Sequence, residues 1–211
     1  MKEYHKIQTV FFKSPESDFK IIMEGHWALP EFEFLKDLEW IWTEKINGMN
    51  IRIIWDGSEI RIVGKTDDAE IPRHLLQALQ ETFTIEKMSF AFNSPCCLYG
   101  EGFGNNIQTV GRRYKTNSAY FILFDCLIGN FWLERHNLEN IAEKLDIPIV
   151  PIMGTGNLLQ AVEFVKWGFK SVVAEDKHLP AEGLIMKPKV ELFNRKGARI
   201  ISKIKFKNFK I

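Results

Sequence analysis

A mixed α+β fold dominated by strands is what this sequence predicts, on three observations. Short runs of β-branched and aromatic residues recur along the chain, Asn-Gly and Asp-Gly pairs punctuate the first of them, and three longer segments carry apolar residues at helical spacing. Trp40 to Ile46, Asn50 to Trp55 and Ile60 to Lys65 read as successive strands, with Asn47-Gly48 and Asp56-Gly57 as the turns between them. That puts Lys45 at a strand end beside a tight turn. Pro72 to Phe83 reads as a helix opened by proline, with Leu75, Leu76 and Leu79 at helical spacing. Leu98 to Gly100, Tyr120 to Leu127 and Phe131 to Leu133 are further strands. Arg135 to Leu145 and Asn157 to Phe169 fit amphipathic helices, the second with Asn157 as N-cap. Leu184 to Lys187 and Arg199 to Phe206 supply the closing strands. No internal repeat or low-complexity segment is visible.

A chain of 211 residues with 45% hydrophobic content can bury a full core, as one large domain or as two closely packed lobes. The expectation is a single domain over residues 1–211, with no C-terminal accessory domain, acting as a monomer. No apolar run is long enough to span a membrane, and Met1-Lys2-Glu3-Tyr4-His5 lacks the apolar core of a signal peptide, so a soluble cytoplasmic protein without a membrane partner is expected. Three cysteines, Cys96, Cys97 and Cys126, make neither a disulfide framework nor a paired-spacing zinc pattern; reduced thiols are expected. A net charge of +1 argues against a strongly basic, nonspecific nucleic-acid binder. Charge is nevertheless concentrated in two places, Arg112-Arg113-Tyr114-Lys115 and the terminal run from Lys203 to Ile211.

The chemistry concentrates in an ordered set of motifs. Thr43-Glu44-Lys45-Ile46-Asn47-Gly48-Met49-Asn50-Ile51-Arg52 offers a lysine in the setting a nucleophilic amine needs. Alone, a Lys-x-x-Gly pattern turns up about once in a chain this long. Downstream, in order, come Gly64-Lys65-Thr66-Asp67, Tyr99-Gly100-Glu101-Gly102-Phe103-Gly104 followed by Asn105-Asn106-Ile107-Gln108, Phe121-Ile122-Leu123-Phe124-Asp125, Glu182-Gly183-Leu184-Ile185-Met186-Lys187-Pro188, and Lys203-Ile204-Lys205. Several motifs in order and at comfortable spacing are far harder to obtain by chance than any one of them.

This set resembles the covalent nucleotidyltransferases, and within them the phage-type RNA ligases of the Rnl2-like group, over nearly the whole chain. The resemblance implies an adenylation domain of the ligase and capping-enzyme type, antiparallel sheets flanked by helices, with the nucleotide in the cleft between them. It implies ATP and a divalent ion, Mg2+ or Mn2+, an RNA substrate with 5′-phosphate and 3′-hydroxyl ends, and a role in RNA repair in a phage or host cytosol. Lys45 then attacks the α-phosphate to give a lysyl-AMP intermediate. A free lysine has a pKa of about 10.4, so only about one in two thousand is neutral at pH 7, and a nucleophilic Lys45 requires nearby cations or a bound metal to favour the neutral amine. An isolated lysine before a turn would otherwise read as a solvated strand residue.

Further roles follow from the same resemblance. Glu182 binds the metal, and Glu101 binds the ribose or the metal; read singly, each is equally a loop carboxylate at a strand end. Phe124 stacks on adenine, a contact indifferent to base identity, against the alternative of a core phenylalanine on an apolar strand. Glu44 accepts from the exocyclic amine of adenine. Asn50 touches phosphate or the RNA end, and Arg52 and Lys65 are phosphate contacts, Arg52 being equally a surface arginine. Lys203 and Lys205, two apart, put both amines on one face of a strand, where fixed positive charge stabilises a reacting phosphorus, and Lys187 joins them. An edge strand guarded by lysines is the plain alternative.

Three positions depart from the family pattern. Asn47 replaces an aspartate or histidine, Met49 a small hydroxyl residue, and Lys65 an arginine, which costs bidentate phosphate binding. The chain ends soon after Lys205, which suggests a bare nucleotidyltransferase domain. Two other functions stay open at this point: an RNA-capping guanylyltransferase, and a non-catalytic nucleic-acid-end binding module on the same fold.

Overall fold

The computed structural model describes residues 3–209. In chain order its elements are β1 (Gln8–Thr9), β2 (Phe11–Lys13), β3 (Ile22–Trp27), α1 (Pro30–Phe34), β4 (Trp40–Glu44), β5 (Met49–Trp55), β6 (Ile60–Val63), α2 (Arg73–Thr82), α3 (Ile85–Ala91), β7 (Cys96–Gly104), α4 (Gly111–Tyr114), β8 (Ala119–Ile128), β9 (Phe131–Trp132), α5 (Arg135–Leu145), β10 (Ile152–Gly156), α6 (Leu158–Trp167), β11 (Gly183–Pro188) and β12 (Ser202–Lys205). Single 3-10 turns follow β2 and β12. Residues divide into two compact units: one of residues 3–5, 47–150 and 174–176, the other of residues 6–46, 151–173 and 177–209. The division falls inside the lysine motif, after Ile46.

The first unit is an antiparallel five-stranded sheet in the order β6-β5-β7-β8-β9. Ile51, Ile53, Leu98, Phe121 and Leu123 pack from its strands against Leu75 and Leu79 of α2, Met88 of α3 and Leu138 of α5. All three cysteines are free and buried here, and burial pushes the Cys97 thiol up to about 11, so it is an unreactive packing group. The second unit has a five-stranded sheet in the order β1-β12-β11-β4-β10, antiparallel except for the β1–β12 pair, and a β2–β3 hairpin. Its core joins Trp40, Trp42, Leu184, Met186 and Ile204 to Leu158, Ala161, Val162 and Val165 of α6. Asn157 caps α6 in a reciprocal capping box with Gln160, a device worth about 1 kcal/mol.

One sequence expectation is corrected. Asn47-Gly48 is no hairpin turn, because β4 pairs with β10 and β11 whereas β5 pairs with β6 and β7. Gly48 has none of the positive φ that an Asn-Gly type I′ turn demands. Asp56-Gly57 does close a hairpin: Asp56 Oδ1 accepts from the backbone of Ser58 and Glu59. Lys210 and Ile211 of the basic terminal run lie outside the described residues. Among the described residues no helix is long and apolar enough to cross a membrane.

Candidate active site

In the second unit, strand register explains how a lysine-rich surface arises. Across β4, β11 and β12, Thr43 lies beside Ile185 and Ile185 beside Lys203; Leu184 lies between Glu44 and Ile204. Side chains alternate across a sheet, so Trp42, Glu44, Leu184, Met186 and Ile204 turn to the buried face. Lys45, Lys187, Lys203 and Lys205 fall on the other. The pairing expected for Lys203 and Lys205 is therefore present, and Lys187 belongs to the same face.

Gly183 separates Lys45 from Lys205: the Lys45 amide donates to the Gly183 carbonyl at 2.9 Å, and Gly183 pairs with Lys205. A Cβ at Gly183 would sit 2.0 Å from the Ile204 carbonyl oxygen, so the position must be glycine. The gap is bridged by Glu182. Lys45 Nζ lies 2.7 Å from Glu182 Oε2, and Lys205 Nζ 2.6 Å from Glu182 Oε1. Burial works against a charged Glu182, but the Lys45 charge and the hydrogen bonds from Lys205 and Lys45 outweigh it and hold this carboxyl below the usual range. Lys203 has no carboxylate partner among the described residues. Burial, then the charges of Lys205, Lys45 and Lys13, lower its pKa to about 8.

Glu44 faces the other way. It is buried, accepting from the Ser171 hydroxyl and from the Val172 amide at 3.0 Å. Burial raises its pKa, with bonds from Ser171, Val172 and Val173 partly offsetting the effect. In this arrangement the carboxylate pins the 171–173 segment beneath β4.

In the first unit, the reading of Arg52 on an exposed strand face is corrected. Its side chain is fully buried, Nε donating to the Gly64 carbonyl at 2.9 Å and Nη2 pairing with Asp67 at 2.6 Å. It ties down the Gly64-to-Asp67 loop and has no surface to offer a phosphate; Lys65 stands exposed on that loop. At Gly48 the backbone packs closely on protein: a Cβ there would lie 2.3 Å from the Gly102 carbonyl oxygen. Asn50 pairs in register with Glu101, both half-buried. Asn50 Oδ1 is buried and accepts nothing, so a donor from a ligand hydroxyl would satisfy it.

Phe124 occupies a β-bulge. Tyr99 pairs with Asp125 and Gly100 with Leu123, leaving Phe124 as the extra residue of β8. Its neighbours on the strand are buried, and it alone among residues 121–127 is half-exposed. Tyr4 braces it edge-on, with ring centroids 5.1 Å apart, while the Tyr4 hydroxyl donates to Asp125 Oδ2 at 2.7 Å. Tyr4 carries no sequence signal for this task. In the Arg112-to-Lys115 cluster two of the three cations are paired, Arg113 with Asp176 and Lys115 with Glu175, while Arg112 donates to Asn105 Oδ1 and Tyr114 is buried.

Among the described residues no three His, Cys, Asp or Glu side chains gather as a ready metal cage. This set of motifs on these two sheets agrees with comparison to known proteins. The family model for RNA ligases matches residues 38–205, most of the chain. The chain belongs to the RNA ligase family. No curated protein sequence matches it. Among solved structures, this family member is similar to Naegleria gruberi RNA ligase. A variant of that enzyme without ligand is 19% identical, with a TM-score of 0.68 over 96% of this chain and 56% of that one. The same ligase with pyrophosphate gives 19%, 0.66, 94% and 56%. A variant with ATP and manganese gives 20%, 0.66, 83% and 51%. The likeness is one of fold, and the chain spans about half the length of those structures.

Proposed function

We propose that this chain is an ATP-dependent RNA ligase, joining 5′-phosphate and 3′-hydroxyl RNA ends through lysyl-AMP and adenylylated RNA. The observation that carries the reading is Lys45 held by Glu182 on a face shared with Lys187, Lys203 and Lys205. In the first step the Lys45 amine leaves its salt bridge, sheds a proton and attacks the α-phosphorus of ATP. An N–P bond forms as the bond from that phosphorus to the bridging oxygen breaks. Pyrophosphate departs with the electron pair, and the nitrogen loses a second proton to water. AMP then passes to an RNA 5′-phosphate, and a 3′-hydroxyl displaces it to seal the strand. Lys203 and Lys205 supply fixed positive charge at the reacting phosphorus.

In the first unit, Phe124 is proposed to stack on adenine, and Glu101 and Asn50 to meet the ribose or phosphate. Stacking on Phe124 contributes affinity without choosing the base. The buried, unpaired Asn50 Oδ1 favours a donor such as a hydroxyl. Glu182 would hold a hard divalent ion, Mg2+ or Mn2+, once Lys45 and Lys205 release its oxygens. When bound, such an ion neutralises charge on the phosphates.

The test is covalent labelling. The protein incubated with ATP labelled at the α-phosphate and a divalent metal should carry label through denaturing electrophoresis, and Lys45→Ala should carry none. An unlabelled parent protein, or a labelled Lys45→Ala, would sink the reading. Lys45→Arg should be equally inactive, because a guanidinium stays protonated.

A further inference from the structure

The lysine face continues beyond the family motifs. Lys13, at the end of β2, and Lys207, in the turn after β12, both lie outside the residues that the family model matches. Three backbone contacts and one side-chain hydrogen bond put them there. The Val10 amide donates to the Lys203 carbonyl at 3.0 Å, so β2 leaves the sheet beside Lys203. Lys13 pairs with Ile22 in the β2–β3 hairpin. The Phe206 amide donates to the Glu182 carbonyl at 2.9 Å, and the buried Asn208 donates to the Lys20 carbonyl at 2.9 Å, fixing the turn that carries Lys207.

Five lysines of the second unit, at positions 13, 45, 203, 205 and 207, thus form one electrostatic cluster. Among the described residues only Glu182 answers them with a carboxylate, and both its oxygens are used by Lys45 and Lys205. Lys13, Lys203 and Lys207 have no ion-pair partner among the described residues. Burial and the neighbouring charges of Lys205 and Lys207 lower the pKa of the half-buried Lys13, as burial and charge lower that of Lys203. A fold that crowds ammonium groups in this way is destabilised unless an anion neutralises them.

The cluster also has a direction. Lys45 follows β4, Lys203 and Lys205 lie on β12, and β12 is flanked on its far side by β1, which leads into β2 and Lys13. From the nucleophile outward across the sheet the order is therefore Lys45, then Lys203 and Lys205, then the end of β2 that carries Lys13, with Lys207 two residues beyond Lys205. In-line displacement sends the leaving group away from the attacking amine. An RNA backbone would favour exposed, spread charges, but Lys13 and Lys203 are half-buried and concentrated.

We propose that Lys13 and Lys207 bind the two outer phosphates of the nucleoside triphosphate, and hence the departing pyrophosphate, extending the site past Lys203 and Lys205. This rests on the ligase reading above. The experiment measures binding of inorganic pyrophosphate and tripolyphosphate by calorimetry to the parent, Lys13→Ala, Lys207→Ala and Lys13→Arg. In parallel, pyrophosphate-driven loss of label from the AMP adduct and sealing of RNA already adenylylated at its 5′ end are followed. Each alanine variant should weaken pyrophosphate binding about tenfold and slow loss of label similarly. Lys13→Arg should retain most of the affinity, and the exposed Lys144→Ala should match the parent.

Pyrophosphate affinities equal in the parent and both alanine variants would overturn the proposal. So would a loss on pre-adenylylated RNA as large as that on pyrophosphate, which would assign these lysines to the RNA backbone. Lys207 is exposed, so its variant stands even if Lys13→Ala fails to fold. A parent that takes no label from ATP would defeat the ligase reading alone, because calorimetry reads the anion site without it.

Discussion

Lys45 and Lys205 are tethered through opposite oxygens of one carboxylate, at 2.7 and 2.6 Å. The strand register makes this possible: Gly183 stands between them without a side chain, and Glu182 immediately precedes it. In this state the proposed nucleophile is positioned, but its Nζ donates to the Glu182 carboxylate as an ammonium, in a salt bridge. Displacement of that bridge must precede attack.

Glu182→Gln should therefore have two effects. The carboxyl is held below its usual range, so its pairing stabilises the fold above the unfolded value of 4.5 and the contribution is lost as pH falls through the folded value. At pH 7 the variant should lose about 1–3 kcal/mol in urea denaturation, leaving two ammonium groups without their carboxylate. Label transfer from ATP should fall with it. Unchanged stability and labelling would show the bridge to be incidental.

Arg52 tests a structural role against a phosphate contact. Its guanidinium is buried and holds the Gly64 carbonyl and Asp67 together. Arg52→Lys keeps the charge but cannot form both bonds, and should cost about 1–3 kcal/mol while speeding amide exchange in residues 64–67. The hydrogen bond from Arg52 also holds Asp67 below its usual range, so any stability from that pair is present above about pH 3.8 and lost on further acidification. A variant of parental stability with weakened ATP binding would restore the phosphate role.

How much of this was legible in the sequence depends on what each feature needs from far along the chain. The α5 helix and the helix capped by Asn157 follow local rules, and both form as the pattern predicts. Lys203 and Lys205 share a face because strand alternation is local too. Asn47-Gly48 misled because a hairpin depends on where the flanking strands find partners, and β4 finds them in β10 and β11. Arg52 looked exposed because its acceptors, Gly64 and Asp67, become partners only once β5 and β6 pair. The strands β1 and β2 carry too few residues for a periodic signal, and glycines interrupt β3 and β10, so the neighbourhood of Lys13 was invisible. The bulge at Phe124 depends on register with β7, which no single strand encodes.

Phe124→Ala should raise the apparent dissociation constant for ATP about 5- to 150-fold, the range that one stacked base contributes. Phe124→Tyr should keep most of the affinity, because a phenol also offers a π-face. Equal affinity in the parent and Phe124→Ala would return the residue to a packing role beside Tyr4.

Glu44 carries the opposite pH signature to Glu182. Its folded pKa is raised above 4.5, so the fold holds the proton more tightly than the unfolded chain does. Its contribution thus favours the fold at low pH and is lost as pH climbs through the raised folded value. Glu44→Gln should flatten that part of the stability profile, measured as melting temperature against pH. A profile unchanged by the substitution would mean that Glu44 does not titrate there.

The last prediction separates the lysines by supplying the activated intermediate. RNA already carrying AMP on its 5′-phosphate bypasses the first two steps, so Lys45→Ala should seal it without ATP even though it takes no label. Lys203→Ala and Lys205→Ala should behave differently. Their charge is proposed to act at the α-phosphorus when the enzyme is adenylylated and again when AMP is expelled during sealing, so at least one variant should be impaired in both reactions, by about 2–4 kcal/mol of barrier. Lys205 also shares Glu182 with the nucleophile, so Lys205→Ala should perturb labelling more than Lys203→Ala does. If both variants take label from ATP as fast as the parent, these lysines merely guard a strand edge, and Lys187 on the same face becomes the first alternative to test.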